Sequence, residues 1–205
     1  MFVVASRVRL AMSTRQLPAS LPHWCRTNIQ ENRPNWWLMK TEPSEFSIQD
    51  LRRRRSTVWD GVRNFQARNF LRCMRVGDLI LVYHSNVPVP AIVGTGVVSS
   101  DPFADPSQFD KESKYYDNAS NKEDPRWTTV RVSFGVELPT AVSLDALREM
   151  WTVDDSVVVR AGNRLSVVPV QAAAAEKALG AAALREATAC AVPQRTGSRR
   201  RQREE

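Results

Sequence analysis

The sequence predicts an α+β fold, a small mixed β-barrel with flanking helices, and three observations lead there. Several short apolar strands are interrupted by helices, without the regular alternation of a doubly wound parallel sheet. The run from Asp78 to His84 is rich in apolar residues on both faces, as expected of a strand covered on both sides. Gly94 and Gly96 lie inside a second apolar run, where a missing side chain permits a barrel corner or the close approach of another backbone. The 205 residues suffice for one domain with a real core and are too few for two of ordinary size.

The elements follow in order. Pro34 precedes the apolar run Trp36-Trp37-Leu38-Met39, a first strand that Pro43 breaks. Ser47 followed by Asp50 predicts the cap of a short helix through Leu51. Arg52 to Arg55 then read as a solvated helix end near the negative pole of its dipole. Asn64 caps a helix to Met74, in which Ala67, Phe70, Leu71 and Met74 recur at helical spacing and form the core face. Arg68, Arg72 and Arg75 share the opposite side and are expected to face water.

Strands are predicted over 78–84 and 91–100. Asp101-Pro102 and Asp105-Pro106 turn the chain into a long polar loop that carries Tyr115 and Tyr116 and reaches Pro125. Loops of this length often have a function. Trp127 to Val136 alternates as a strand, and Ser143 to Met150 reads as a capped helix. Ser156 to Arg160 and Arg164 to Val168 read as short strands, and Gln171 to Ala187 as an alanine-rich helix.

The formal net charge of +7 invites a nucleic-acid reading, but its location matters more than its total. Residues 1–34 hold five arginines against one glutamate, and residues 193–205 hold five against two. The remaining 19 basic and 19 acidic residues cancel. The expected organisation is a basic, disordered arm or targeting segment over 1–34, a neutral domain over 35–187, and a basic, disordered tail over 188–205. The arginine-rich start has no acid before Glu31, as organellar transit peptides do, unless translation begins at Met12. The cluster from Arg195 to Arg203 is either a nuclear signal or a solvated tail. Nucleus, mitochondrion and, for a bacterial chain, cytoplasm are the corresponding addresses.

Cys25, Cys73 and Cys190 are odd in number and far apart, which argues against a disulfide framework and against a zinc site. No apolar run reaches the eighteen or so residues of a membrane helix. The expected chain is therefore an intracellular monomer without membrane, metal or cofactor.

Catalytic constellations are thin. Of the two histidines, His23 lies in the arm and His84 ends a strand. His84 and Ser85 are neighbours and point to opposite faces while the strand stays regular, so they cannot form a nucleophile and base pair. For His84 alone a satisfied structural histidine is the simpler reading. No metalloprotease, hydrolase or phosphate-loop motif occurs. What remains is aromatic and hydrogen-bonding residues where strands stop and helices begin: Tyr83, His84, Ser85 and Asn86, with Trp59 ahead of Asn64. Such a set can hold a flat ligand at a barrel mouth, although Trp59 also suits a core position.

Local strings add to this. Trp37-Leu38-Met39-Lys40-Thr41-Glu42-Pro43 resembles the opening block of EVE-domain proteins. The run from Trp59 to Leu71 resembles the second block of that family and Tyr83-His84-Ser85-Asn86 the third. Lys114 to Asp117, Pro125-Arg126-Trp127 and Arg164 to Val167 follow in the family's order. Thr41 stands where serine is commoner and Phe65 where tyrosine is, so any contact made by that tyrosine hydroxyl is absent.

The resemblance covers Trp37 to about Leu184 and implies a PUA-like fold, related to the YTH readers of methylated RNA. It implies a pocket for a modified base, bounded by Trp59, Asn64 and Arg68 on one side and by Tyr83, His84, Ser85 and Asn86 on the other. Lys40 and Glu42 would line the first strand's end, and Arg164 and Ser166 the last strand. Within that set Trp59 and Tyr83 are expected to stack, Asn64 and Ser85 to read the base edge, and Arg68 or Lys40 to meet phosphate. The function so implied is a non-catalytic reader of a modified nucleobase in nucleic acid, with modified cytosine in DNA favoured. A hydrolase acting on modified nucleotides and a protein-interaction module are the alternatives.

Overall fold

The computed structural model describes residues 17–191. Six strands form one sheet: β1 (Trp36–Thr41), β2 (Ser56–Val58), β3 (Leu79–His84), β4 (Ala91–Val98), β7 (Arg131–Ser143) and β8 (Val167–Val170). Their order is β2-β7-β4-β3-β1-β8, and all neighbours are antiparallel except β1 and β3. A separate two-stranded ribbon pairs β5 (Phe103–Ala104) with β6 (Thr128–Thr129).

The sheet is a curled half-barrel. Register shifts interrupt the pairing of β3 with β4 and, twice, that of β4 with β7, and bulges of this kind bend a strand and increase its twist. Gly94 makes the bend sterically possible. A Cβ there would stand 2.6 Å from the carbonyl oxygen of Val136 and 2.7 Å from Cδ1 of Ile48.

Strand alternation assigns two cores. Trp37, Met39, Ile80, Val82 and Val167 pack on one face beneath α1 (His23–Gln30), α2 (Ile48–Arg54) and α3 (Phe65–Leu71). Trp36, Leu38, Leu79, Leu81, Tyr83, Val168 and Val170 pack on the other beneath α4 (Leu144–Met150) and α5 (Ala172–Ala191). Both faces of β1 and β3 are thus dry, and both strands read as continuous apolar runs.

The predicted caps form. Ser47 and Asp50 make a reciprocal capping box on α2, with the Ser47 side chain accepting from the Asp50 amide. Asn64 accepts from the amides of Gln66 and Ala67 at the start of α3, and Ser143 accepts from Ala146 at the start of α4.

Four expectations are corrected. Residues 17–34 are not an irregular arm: α1 lies there, with Leu21 and Cys25 buried. Leu21, Cys25 and Ile29 recur at helical spacing and dock on the core, an apolar face that the arginine count concealed. Ser156 to Arg160 is a 3₁₀ turn over Val157–Val159, not a strand. Ser156 donates to the carbonyl of Pro169, and Pro169 has no N–H with which β8 could pair a further strand. Arg164 to Ser166 is loop, with β8 beginning at Val167. The last helix extends to Ala191 and is broken at Gly180.

The solvated side expected for α3 also differs. Arg72 is exposed, but Arg68 and Arg75 are half-buried. Arg75 donates to the carbonyl of Ile29 in α1 and Arg68 to that of Arg126. The first sixteen residues of the arm or targeting segment expected over 1–34, and the arginine cluster from Arg195 to Arg203, lie outside the described residues.

Candidate nucleobase-binding site

A cavity of about 600 Å³ opens where β1, β2 and β3 end. Its walls include Phe46, Trp59 and Tyr115, its rim Glu42, Glu45, Asp60, Lys114 and Arg164. The volume falls within the range of small-ligand pockets, about 300–1,000 Å³.

Trp59 anchors the floor. Its amide donates to the carbonyl of Val130 at 3.0 Å, and its ring meets Phe46 edge-on at 6.2 Å and 82°. At 7% exposure it belongs to the core and to the cavity wall at once. Tyr115 comes from the long loop, which a partly buried ion pair holds in place. Arg63 donates to Asp105 Oδ2 at 2.7 Å and to the carbonyl of Tyr115 at 2.9 Å, while Gly61 N–H donates to the same carboxylate at 3.0 Å. Burial alone would raise the Asp105 carboxyl, but hydrogen bonds from Arg63, Ser107 and Gly61 outweigh it and hold it below the usual range. Lys114 pairs with Glu45 across the mouth.

The charged lining is mixed. Lys40 has its ammonium pushed below the ordinary lysine value by burial; its Nζ donates to the carbonyl of Asn163 at 3.2 Å. Burial, reinforced by the negative charge of Asp105, pushes the Asp60 carboxyl up. Ser85 is tied to the end of β1, its amide donating to the Thr41 carbonyl at 2.9 Å.

Of the residues expected from sequence, Lys40, Glu42, Trp59, Ser85, Arg164 and Ser166 line the cavity. Five do not. Tyr83 is 3% exposed and packs in the core beneath α4 and α5. Alternation along β3 turns it to that face, where Lys40 lies 5.8 Å from its ring centre. Asn64 spends its side-chain oxygen on the cap of α3. His84 Nε2 accepts from the amide of Ile48 at 3.1 Å, and burial lowers its pKa. Asn86 supports Glu42 from behind, donating to its carboxylate at 2.9 Å. Arg68 packs beside Phe65 and Trp127. Phe46, Arg54, Asp60 and Tyr115 were not among the expected set. Asp60 and Tyr115 lie in the strings Trp59–Leu71 and Lys114–Asp117, whereas no string pointed toward Phe46 or Arg54.

Together the curled sheet and the cavity at its strand ends define a PUA-like domain, and the chain belongs to the EVE domain family, whose profile matches residues 35–180. Thymocyte nuclear protein 1 of mouse is 40% identical over 132 residues, which cover 59% of this chain and 58% of that protein. The chain thus aligns with little over half the length of that relative. A crystal structure from Pseudomonas syringae is 41% identical and superposes with a TM-score of 0.67, over 70% of this chain and 97% of the other. Human THYN1, solved in complex with 5-methylcytosine-containing DNA, is 33% identical with a TM-score of 0.66, covering 71% and 95% of the two chains.

Proposed function

We propose that the chain is a non-catalytic reader of modified cytosine in DNA, taking an unstacked or flipped base into the cavity above Trp59. The observation that carries the reading is one cavity of nucleobase size that joins aromatic faces to hydrogen-bond donors and acceptors. The ligand class is supported by the DNA complex of the human relative. Cytosine presents its N4 amino group as a donor, which a carboxylate accepts; Glu42, Glu45 and Asp60, which line the cavity, are the acceptors that would serve. A C5 methyl would meet Phe46, Val58 or Val62. Lys40 and Arg164 are the cations for carbonyl or phosphate oxygen. Extruding a base costs a few kcal/mol, least where pairing is already weak, so the arginines toward both ends of the chain would add salt-dependent affinity without sequence preference. A nuclear address agrees with this role and with the name of the mouse relative.

The non-catalytic part is supported by His84, because the lone pair a general base would use already accepts from Ile48. Turnover of modified nucleosides or oligonucleotides that is lost in His84→Ala would overturn it.

The binding test compares full-length protein on matched oligonucleotides with cytosine or 5-methylcytosine at one position, read by fluorescence anisotropy. Trp59→Ala should erase the preference for the modified base. That truncation costs about 3–5 kcal/mol of stability, so Thr57→Trp, which fills the cavity from the edge strand β2, serves as a second variant. If a folded form of either keeps the wild-type preference, the base does not enter here.

A further inference from the structure

Outside the cavity, the largest exposed aromatic surface of the described residues belongs to Phe65, the first residue of α3, at 51% exposure. Its inner face stacks on Trp127, with ring centres 5.0 Å apart and planes at 23°. Trp127 is itself buried, and its indole N–H donates to Asp117 at 2.6 Å, so the lower ring of the stack is fixed. The guanidinium carbons of Arg68 and Arg126 lie 4.8 and 5.7 Å from the Phe65 centre and both 6.0 Å from that of Trp127. A cation capping the outer face of Phe65 would be far more distant from Trp127 than from Phe65. Arg126 is nearly equidistant and Arg68 only slightly nearer to Phe65, so both flank the stack and leave its outer face open.

The surroundings are cationic. Arg126 is paired with Asp117, whereas Arg68 and Arg72 have no carboxylate partner among the described residues. Burial, and then the like charges of Arg72 and Arg126, lowers the Arg68 pKa. An anionic ligand seated there would offset the repulsion among these like charges. The patch is also mechanically joined to the cavity. Arg63 lies 5.5 Å from the ring centre of Tyr115, a cavity wall, and 5.4 Å from that of Trp127. One guanidinium therefore spaces the two sites by a distance that a nucleic-acid strand, at about 3.4 Å per step, covers in a few nucleotides.

We propose that Phe65, backed by Trp127 and flanked by Arg68, Arg72 and Arg126, is a second nucleic-acid subsite that stacks a base neighbouring the one in the cavity and neutralises its phosphates. The proposal rests on the cavity holding a nucleobase, since it takes its strand direction from that site. An aromatic face is shared by all bases as a stacking partner, so the subsite adds affinity for the strand and no preference for the modification. An acidic protein segment would meet the same charges but would gain nothing from a flat open ring.

The test measures full-length wild type, Phe65→Ala, Phe65→Trp and Arg68→Gln against three probes: 5-methyl-deoxycytidine monophosphate, an oligonucleotide carrying one 5-methylcytosine, and its unmodified twin. Phe65→Ala should weaken both oligonucleotides about five- to a hundredfold, the range of one lost base–aromatic stack, and leave mononucleotide binding and the modified-to-unmodified ratio unchanged. Phe65→Trp should restore affinity, and Arg68→Gln should lower the salt dependence of oligonucleotide binding. Unchanged oligonucleotide affinity in Phe65→Ala overturns the subsite. So does a parallel loss for the mononucleotide, which would make Phe65 part of the cavity, and so does an acidic peptide that displaces the oligonucleotide and loses affinity equally in Phe65→Ala. If the cavity reading alone fails, cavity variants keep the ratio while Phe65→Ala still weakens the oligonucleotides.

Discussion

Gly61→Ala tests how backbone shape sets a wall of the cavity. Gly61 has φ of +81°, a region that costs an L residue about 1–2 kcal/mol. Its Cβ would stand 2.5, 2.6 and 2.8 Å from Cε2, Cζ and Cδ2 of Tyr115, well inside van der Waals contact, so the ring must leave. Arg63 holds the Tyr115 backbone carbonyl at 2.9 Å, so the main chain stays and the ring turns about its own side-chain bonds, out of the cavity wall. Overpacking of this kind costs about 1–3 kcal/mol, giving with the strain about 2–5 kcal/mol, or about 4–20 °C in Tm for a domain of this size. Circular dichroism melting reads the stability, and anisotropy below the variant's Tm reads the affinity for the 5-methylcytosine oligonucleotide, expected to fall about five- to a hundredfold, the loss of one stacking face. Gly162 supplies the comparison. It has φ of +73° with nothing within 4 Å of its Cβ position, so Gly162→Ala carries the strain without the collision. If Gly61→Ala melts no lower than Gly162→Ala and keeps wild-type affinity, Tyr115 is not a fixed wall and the long loop does not shape the site.

Two further predictions concern the scaffold. Asp78, 1% exposed, accepts from the Asn35 amide, the Trp37 indole and the Arg75 amide at 3.0, 2.8 and 3.1 Å. Asp78→Asn turns one acceptor into a donor and leaves at least one buried N–H unmatched, an expected loss of about 1–3 kcal/mol in urea unfolding; wild-type stability in that variant would remove Asp78 as the pin between β1 and β3. His84 provides the pH dependence. Burial lowers its folded pKa below the ordinary 6.5, so below that pH the unfolded chain takes up a proton that the folded chain refuses, and stability falls as pH drops from 6.5 toward the folded value. His84→Gln keeps an acceptor for the Ile48 amide without titrating. The Tm gap between wild type and variant should therefore shift between about pH 7.5 and 5.5, and parallel curves would show that His84 does not titrate with folding.

Local chemistry made much of the fold legible in the sequence. Ser47 with Asp50 and Asn64 with the apolar spacing behind it act over three or four residues, and both caps form as read. Legibility ended where distant segments decide. Three consecutive valines at 157–159 have strand propensity, yet Pro169 on the neighbouring edge offers no donor for them to pair with, and they turn. In the site, the same limit separates Trp59 from Tyr83. Both belong to aromatic strings of the family, but strand alternation sends Tyr83 to the opposite core, a consequence that the register of β3 already carried and that the family strings obscured. Phe46 and Tyr115 reach the cavity from a turn and a long loop, the latter placed by an Arg63–Asp105 pair spanning 42 positions of sequence. No local pattern announces such a pair.

The neutrality of the central region also takes on a different meaning in three dimensions. Equal numbers of acids and bases suggested a domain that selects a base while charged ends grip the backbone. The folded domain instead segregates its charges. Around the cavity, Lys40, Arg54, Lys114 and Arg164 face Glu42, Glu45 and Asp60, a near balance in which each group can address one atom of a base edge without attracting phosphate indiscriminately. Beside it, Arg68 and Arg72 stand around the exposed Phe65 without carboxylate partners among the described residues. Screening over a Debye length of about 8 Å at physiological salt limits each charge to its near neighbours, so the two regions keep different local balances although Arg63 acts on both. Selection and grip can therefore reside in one small domain, because what the strand meets at each point is the local arrangement of charge and not the sum.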